Sequence, residues 1–186
     1  MTVRYKASIC LRPFTKMDKW EYIDLNVTGS TRLDELLLLA HYASKVPENG
    51  LILDIGTCEG RSAFALTLGS LPSVKVISID PTPNPRVYMH RKELGFDSRL
   101  EIIEKKSQEI VWEKPIDMFF NDGLHSYQGI VEDNEIYCPF VKKDGICSFH
   151  DFKLYNNTVG TGILTGENKF YEKLKVVDNI YIGRKI

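Results

Sequence analysis

Between residues 51 and 149 short apolar runs alternate with stretches that read as helices. The runs are Leu51–Asp54 (LILD), Val74–Asp80 (VKVISID), Leu100–Glu104, Ile116–Asn121 (IDMFFN) and Ile146–Phe149. Branched and aromatic runs this short suit strands buried on both faces. Arg61–Leu68, Arg86–Leu94, a short Gln108–Trp112 and Tyr127–Val141 lie between them as helices. Strands that alternate with helices connect by right-handed crossovers, which predicts an α/β fold with a mostly parallel sheet.

The flanks add to this pattern. Leu33, Leu36, Leu37, Ala40 and Ala43 keep helical spacing, which predicts a helix over residues 31–45. Thr31 would cap it, with Asp34 in the place of the capping-box acid, and Pro47 and Gly50 would end it. Residues 1–30 read as a short strand and a loop. After the core, residues 167–174 read as a helix. Leu174–Val177 and Ile180–Ile182 are apolar runs around Asp178-Asn179, a dipeptide suited to a tight antiparallel turn. The expected organisation is one domain over residues 1–186, with an N-terminal extension at 1–30 and the core at 31–186.

A chain of 186 residues buries roughly 70% of its unfolded surface and needs no staple. Its 24 basic and 25 acidic side chains leave a formal charge of −1. Nucleic-acid binding usually leaves a basic footprint, and none is present at whole-chain level. No run reaches the ~18 apolar residues of a bilayer span. The N-terminus carries no apolar block long enough for a signal peptide, so a cytoplasmic location is expected. Cys10, Cys58, Cys138 and Cys147 form no C-x-x-C pair, which predicts free thiols and no zinc site. The expected partner is a small molecule, with neither nucleic acid nor membrane. Oligomeric state is not indicated.

Polar residues end four of the strands: Asp54, Asp80, Asp122 and the pair His150-Asp151. In an open parallel sheet, ligands sit beyond the carboxyl ends of the strands, where strand order reverses. Helix capping explains any one of these acids, but four together with glycines suit a single crevice better. The first strand runs into DIGTCEGRS, with Asp54, Gly56 and Gly60. Gly56 suits a tight turn and close approach of a ligand to backbone, and Gly60 suits close helix packing. The G-x-G-x-x-G phosphate fingerprint is broken by Cys58 and Arg61. A ligand with a ribose and no phosphates is therefore favoured. Asp80, at the end of the second strand, is placed to accept from both hydroxyls of a ribose. The glycine loop and this acid together point to an adenosine-type ligand.

DIGTCEGRS, VISIDP and the segment IDMFFNDGLHSYQGIVEDNEIYCPFVKKDGICSFHDF resemble class I S-adenosylmethionine-dependent methyltransferases. The likeness is strongest to a small bacterial O-methyltransferase-like group with Asp-Gly-x-His-x-Tyr after strand four and His-Asp after strand five. It covers residues 31–186. It implies a Rossmann-like fold with a seven-stranded, mostly parallel sheet, helices on both faces and an antiparallel final hairpin. It also implies that Asp54, Gly56 and Gly60 surround the methionine part of S-adenosylmethionine and that Asp80 binds its ribose. Ser107 and Gln108 would meet the adenine, and Asp122 would close the pocket near the methyl group. Metal-using relatives imply a divalent site at Asp122, His150 and Asp151. His150 departs from that pattern, since Mg²⁺ prefers oxygen ligands.

His41 and His90 sit within helix patterns and read as surface or structural residues. His125 and His150 face the expected crevice, where a histidine could take a proton from an acceptor hydroxyl. Alternatively, His125 holds the Asp151 loop in place. Asp122, His125 and His150 are the candidate catalytic residues. Asp133 could turn back toward the site, with a solvated helix face favoured; Tyr127 and Trp112 could line a pocket, with the core favoured; and Cys58 reads as a small packing residue. The favoured activity is O-methylation of a small molecule or sugar. The alternative is a non-catalytic adenosylmethionine- or nucleoside-binding module. The broken fingerprint disfavours a nicotinamide oxidoreductase.

Overall fold

A computed structural model describes residues 16–186. Five strands run parallel: β1 (Leu51–Ile55), β2 (Lys75–Ile79), β3 (Leu100–Ile103), β4 (Ile116–Asn121) and β5 (Val141–Phe149). β6 (Tyr171–Val177) and β7 (Ile180–Lys185) join them as an antiparallel hairpin, giving seven strands in the order β3-β2-β1-β4-β5-β7-β6. The mostly parallel sheet expected from the alternation, and the seven-stranded Rossmann-like form that the resemblance implies, are therefore present. The chain reverses its direction of growth between β1 and β4. That reversal opens a crevice at the carboxyl ends of these two strands.

Successive side chains in a strand point to opposite faces, so each central strand feeds two cores. Met118 and Phe120 pack with Leu36, Phe64 and Val76 on one face. Phe119 lies on the other, with Tyr137, Phe149 and Tyr171. The first face is covered by α1 (Lys16–Asn26), α2 (Leu33–Ala43), α3 (Arg61–Gly69) and α4 (Arg86–Glu93). The second carries α5 (Tyr127–Tyr137) and the short α6 (Thr161–Gly166).

Three expectations need correction. Part of the 1–30 segment is the helix α1, not a strand, and residues 1–15, with Cys10, lie outside the described residues. Ile23 and Val27 are buried, and Arg61 accounts for the placement. Its guanidinium donates to the carbonyls of Ile23 (3.0 Å), Val27 (2.8 Å) and Thr31 (2.7 Å) and pairs with Asp24. One side chain on α3 thus satisfies the carboxyl end of α1, a long-range contact that local pattern cannot reveal. Second, the N-cap of α2 lies one residue later than expected. Arg32 is its N-cap, and Glu35, rather than Asp34, accepts the Arg32 N–H at 2.9 Å. Third, residues 171–174 of the expected 167–174 helix belong to β6. Tyr171 is fully buried, with its hydroxyl donating to the Ile163 carbonyl at 2.7 Å, so pairing with β7 overrides local propensity. The Asp178-Asn179 turn itself is as expected, with Asp178 at φ 49°.

Gly56 has φ +96°, and a Cβ there would lie 2.1 Å from the Asp122 carbonyl oxygen. Gly56 thus packs closely against the backbone after β4. Gly60, at φ +94°, faces the Phe64 ring and Val87 and permits the helix packing expected of it. Gly95 also has positive φ, but a Cβ there would meet only the Lys19 amine at 4.0 Å. Chemical denaturation should therefore separate the two. Gly95→Ala should cost about 1 kcal/mol of backbone strain. Gly56→Ala should cost at least ~2 kcal/mol more, because the β1 and β4 loops must move apart.

Candidate active site

The loop after β1 is held from beneath. Asp54 is fully buried and accepts from the Ser62 hydroxyl at 3.0 Å and from Ser78. Burial pushes its carboxyl up to about 7, against the stabilising serine hydrogen bonds. Asp54 thus sits under the loop, while Gly56 and Cys58 face a cavity of about 490 Å³. Asp80 lines the same cavity, where its oxygens accept the backbone N–H groups of Cys58 (2.9 Å) and Thr82 (2.8 Å). Ser107 and Gln108 line the far side, Ile55, Ile79 and Leu124 add apolar wall, and Asp122 and His125 close one end.

Asp133 is not on a solvated face. It is 1% exposed and holds three side chains: Ser107 (2.6 Å) and Gln108 (3.0 Å) on one oxygen and Asn121 (3.0 Å) on the other. Burial pushes it up to about 6, with the Ser107 and Asn121 hydrogen bonds opposing. Tyr137 donates to the Ser107 carbonyl at 2.7 Å, and Asn121 accepts the Gly123 N–H at 3.0 Å. The polar wall of the cavity therefore hangs on one acid projecting inward from α5. The sequence leaves both an inward and a solvated position open for Asp133, and the structure gives the inward one. Tyr127 is 43% exposed and is not core, whereas Trp112 packs in the core as expected.

The ends of β4 and β5 bring together all four residues expected there. His125 Nε2 lies 3.0 Å from Asp151 and 3.6 Å from Asp122. His150 Nδ1 lies 3.2 Å from an oxygen of each of the same two acids. Two features were missed. Glu35, from the first turn of α2, reaches His150 Nε2 at 3.2 Å, and Tyr155 stacks on His125 with ring centroids 4.8 Å apart. Asp151 sits at φ 58° and accepts from Asn179 at 2.7 Å, while Asn179 in turn accepts the N–H groups of Lys153 and Leu154. The hairpin turn thus props the loop after β5.

This crowding of acids governs protonation. Hydrogen bonding to Asp122 and then Asp151 raises His125 to about 9. Burial works against charge on His150, but Asp122, Asp151 and Glu35 outweigh it and hold it near 11. Burial likewise opposes charge on Asp151, yet both histidines keep it well below the usual carboxylate range. Asp122, His125 and Asp151 offer ligand atoms within 4.8 Å of one another, a spacing able to hold a cation. A second cavity, of about 460 Å³, lies beside His150 and Asp151, and Ser30 borders both cavities. His41 is exposed as expected. His90 is buried, with Nδ1 bonded to the Tyr22 hydroxyl at 2.9 Å.

A family model described as a methyltransferase domain matches residues 53–152, from β1 through the His150-Asp151 pair. The chain belongs to this methyltransferase family. An uncharacterized protein of Acanthamoeba polyphaga mimivirus is 28% identical over 150 residues, covering 74% of this chain and 67% of its own. The fold is similar to that of PaMTH1, a methyltransferase of Podospora anserina solved with bound S-adenosylhomocysteine (17% identity, TM-score 0.69, 94% of this chain and 89% of that one). It is also similar to that of the O-methyltransferase TomG of Streptomyces achromogenes (14% identity, TM-score 0.69, 96% and 92%). An rRNA methylase of Streptococcus thermophilus is a further structural neighbour (13% identity, TM-score 0.63, 80% and 95%). Among the described residues no helix is long and apolar enough to cross a membrane.

Asp133 gives a stability test with a pH signature. Asp133→Ala should cost about 3 kcal/mol in urea denaturation, since the buried Ser107 and Asn121 and the exposed Gln108 amide lose their partner. The folded carboxyl titrates near 6, above its ordinary 3.8. The native state therefore binds more protons than the unfolded state in this window, and this group makes stability fall as pH rises from about 4 to 6. Asp133→Asn should flatten that part of the profile.

Proposed function

We propose that the protein is an S-adenosylmethionine-dependent O-methyltransferase acting on a small molecule or sugar hydroxyl. The observation that carries the reading is the juxtaposition of His125, between two carboxylates, with a cavity whose residues suit an adenosine. Each Asp80 oxygen carries one backbone N–H, so each retains a lone pair for a ribose hydroxyl. The Gln108 amide nitrogen is bonded to Asp133, which turns its oxygen to account as an acceptor for the adenine amino group. Ser107 lines the same wall. The loop carrying Gly56 and Gly60, braced by Asp54, would take the methionine part, and Asp122 would lie near the methyl group.

S-adenosylmethionine, when bound, supplies a methyl group already activated on a sulfonium. The chain's own residues then have to align the acceptor and remove one proton. His125 would receive that proton on Nδ1, because Nε2 faces Asp122 and Asp151 and carries the ring proton donated to them, so that both acids stabilise the imidazolium that results. Tyr155 holds the ring plane. The second cavity, beside His150 and Asp151, offers room for the acceptor. The near-neutral charge of the chain supports a small acceptor over a nucleic acid. Free Cys58, Cys138 and Cys147 suit the cytoplasm.

Titration calorimetry with S-adenosylhomocysteine tests the cofactor. Asp80→Ala should weaken binding more than tenfold, since hydrogen bonds to a charged group contribute about 1.5–3 kcal/mol each. Unchanged affinity would remove Asp80 from the ribose site. A pH profile tests the base. His125 is protonated below about 9, so kcat/KM should rise with pH toward that value. His125→Gln should lower the rate by about 100-fold or more and abolish this rise.

A further inference from the structure

Three lone-pair-bearing atoms converge beside β5. His150 Nδ1 lies 3.2 Å from an Asp122 oxygen and 3.2 Å from an Asp151 oxygen, and it is aligned for a hydrogen bond with neither. The imidazole is 3% exposed, so water does not compensate. Two carboxylate oxygens facing an imidazole lone pair repel one another unless a cation lies between them. A proton on Nδ1 is one such cation, and a metal ion is the other. Neighbouring ligand atoms on an octahedral ion with bonds of ~2.1 Å stand about 3.0 Å apart. The two Nδ1–oxygen separations, 3.2 Å each, fall between that value and the ~3.4 Å of a tetrahedral ion such as Zn²⁺. On the opposite edge of the ring, Nε2 meets Glu35, itself 2% exposed. Glu35 is anchored in turn by the Arg32 N–H at 2.9 Å.

From this we propose that Glu35 is a positioning residue that holds the proton of His150 on Nε2 and so presents Nδ1 as a metal donor, making the site selective for nitrogen-tolerant transition ions over Mg²⁺. A carboxylate on the far nitrogen of a metal-bound histidine fixes its tautomer and raises its basicity. Imidazole suits later transition ions such as Zn²⁺ and Co²⁺, while Mg²⁺ keeps to oxygen and water and Mn²⁺ also favours oxygen. Metal binding at Nδ1 releases the proton held there in its absence. The inference deepens the proposed function, since it rests on reading this cluster as the reaction site.

The test uses the whole chain, stripped with chelator and titrated with Zn²⁺, Co²⁺, Mn²⁺ or Mg²⁺ without any cofactor. Failure here is thereby separate from failure to bind S-adenosylhomocysteine. In a His125→Gln background, which removes the other ring nitrogen beside the two acids, His150→Asp leaves an all-oxygen set and should narrow the preference for Co²⁺ over Mg²⁺ at least tenfold. Glu35→Ala should weaken Co²⁺ binding 10–100-fold. Because Glu35 also caps α2, Glu35→Gln provides a second arm. Its amide oxygen can still accept from both Arg32 and His150, so it should recover most of the affinity. In the Co²⁺-loaded protein, the Nε2 proton of His150 should give a hyperfine-shifted, slowly exchanging proton resonance. That resonance should vanish in His150→Asp and broaden by exchange in Glu35→Ala. A Co²⁺ to Mg²⁺ preference unchanged by His150→Asp in the His125→Gln background would overturn the proposal. So would a folded Glu35→Ala protein with wild-type affinity and resonance. Weaker binding in Glu35→Gln than in a folded Glu35→Ala would also overturn the positioning role.

Discussion

His150 is wedged between carboxylates on both edges of its ring, and the rest of the site is arranged around that ring. Glu35 from α2 meets one nitrogen, and Asp122 after β4 and Asp151 after β5 meet the other. Three elements far apart in sequence are thereby fixed relative to one another. A buried charged cluster contributes little net stability when complete, but it is costly to leave half-paired. Its value lies in specificity of placement, because losing any one partner strands the others. The same histidine lines the second cavity, and Ser30 borders both that cavity and the cofactor-sized one.

A parallel network organises the opposite wall. Asp133 reaches inward from α5 and ties Ser107, Gln108 and Asn121 into one polar surface. The burial that raises its pKa also makes its hydrogen bonds hard to replace with water. The hairpin contributes through Asn179, which braces both Asp151 and the loop that follows it. An edge element of the sheet thus supports the centre of the site.

Much of this was legible in the chain. The alternation of LILD, VKVISID and IDMFFN with helical stretches yields parallel strands, because a strand buried on both faces must be apolar throughout. Asp80, Asp122, His125, His150 and Asp151 follow such runs directly, and the crossover rule brings their strand ends to one edge. Gly56 marks a point of close approach, and the sequence does not say that one of its neighbours is the Asp122 backbone. A positive-φ glycine signals close contact without saying with what. Helix was read over 167–174 from local propensity, and Tyr171 joined the sheet because β7 offered it partners and a buried slot.

The sequence by itself determined the class of fold, the edge of the sheet that carries the chemistry and most of the side chains that gather there. These depend on period and on residues adjacent to strand ends, which are local properties. Only the tertiary structure decided that Glu35 reaches His150, that Asp133 turns inward, that Arg61 anchors α1 and that Asn179 braces Asp151. Each of these is a pairing between residues at least 25 positions apart. Which polar side chains are buried together depends on how helices seat on the sheet, and that seating is set by packing summed over the whole core.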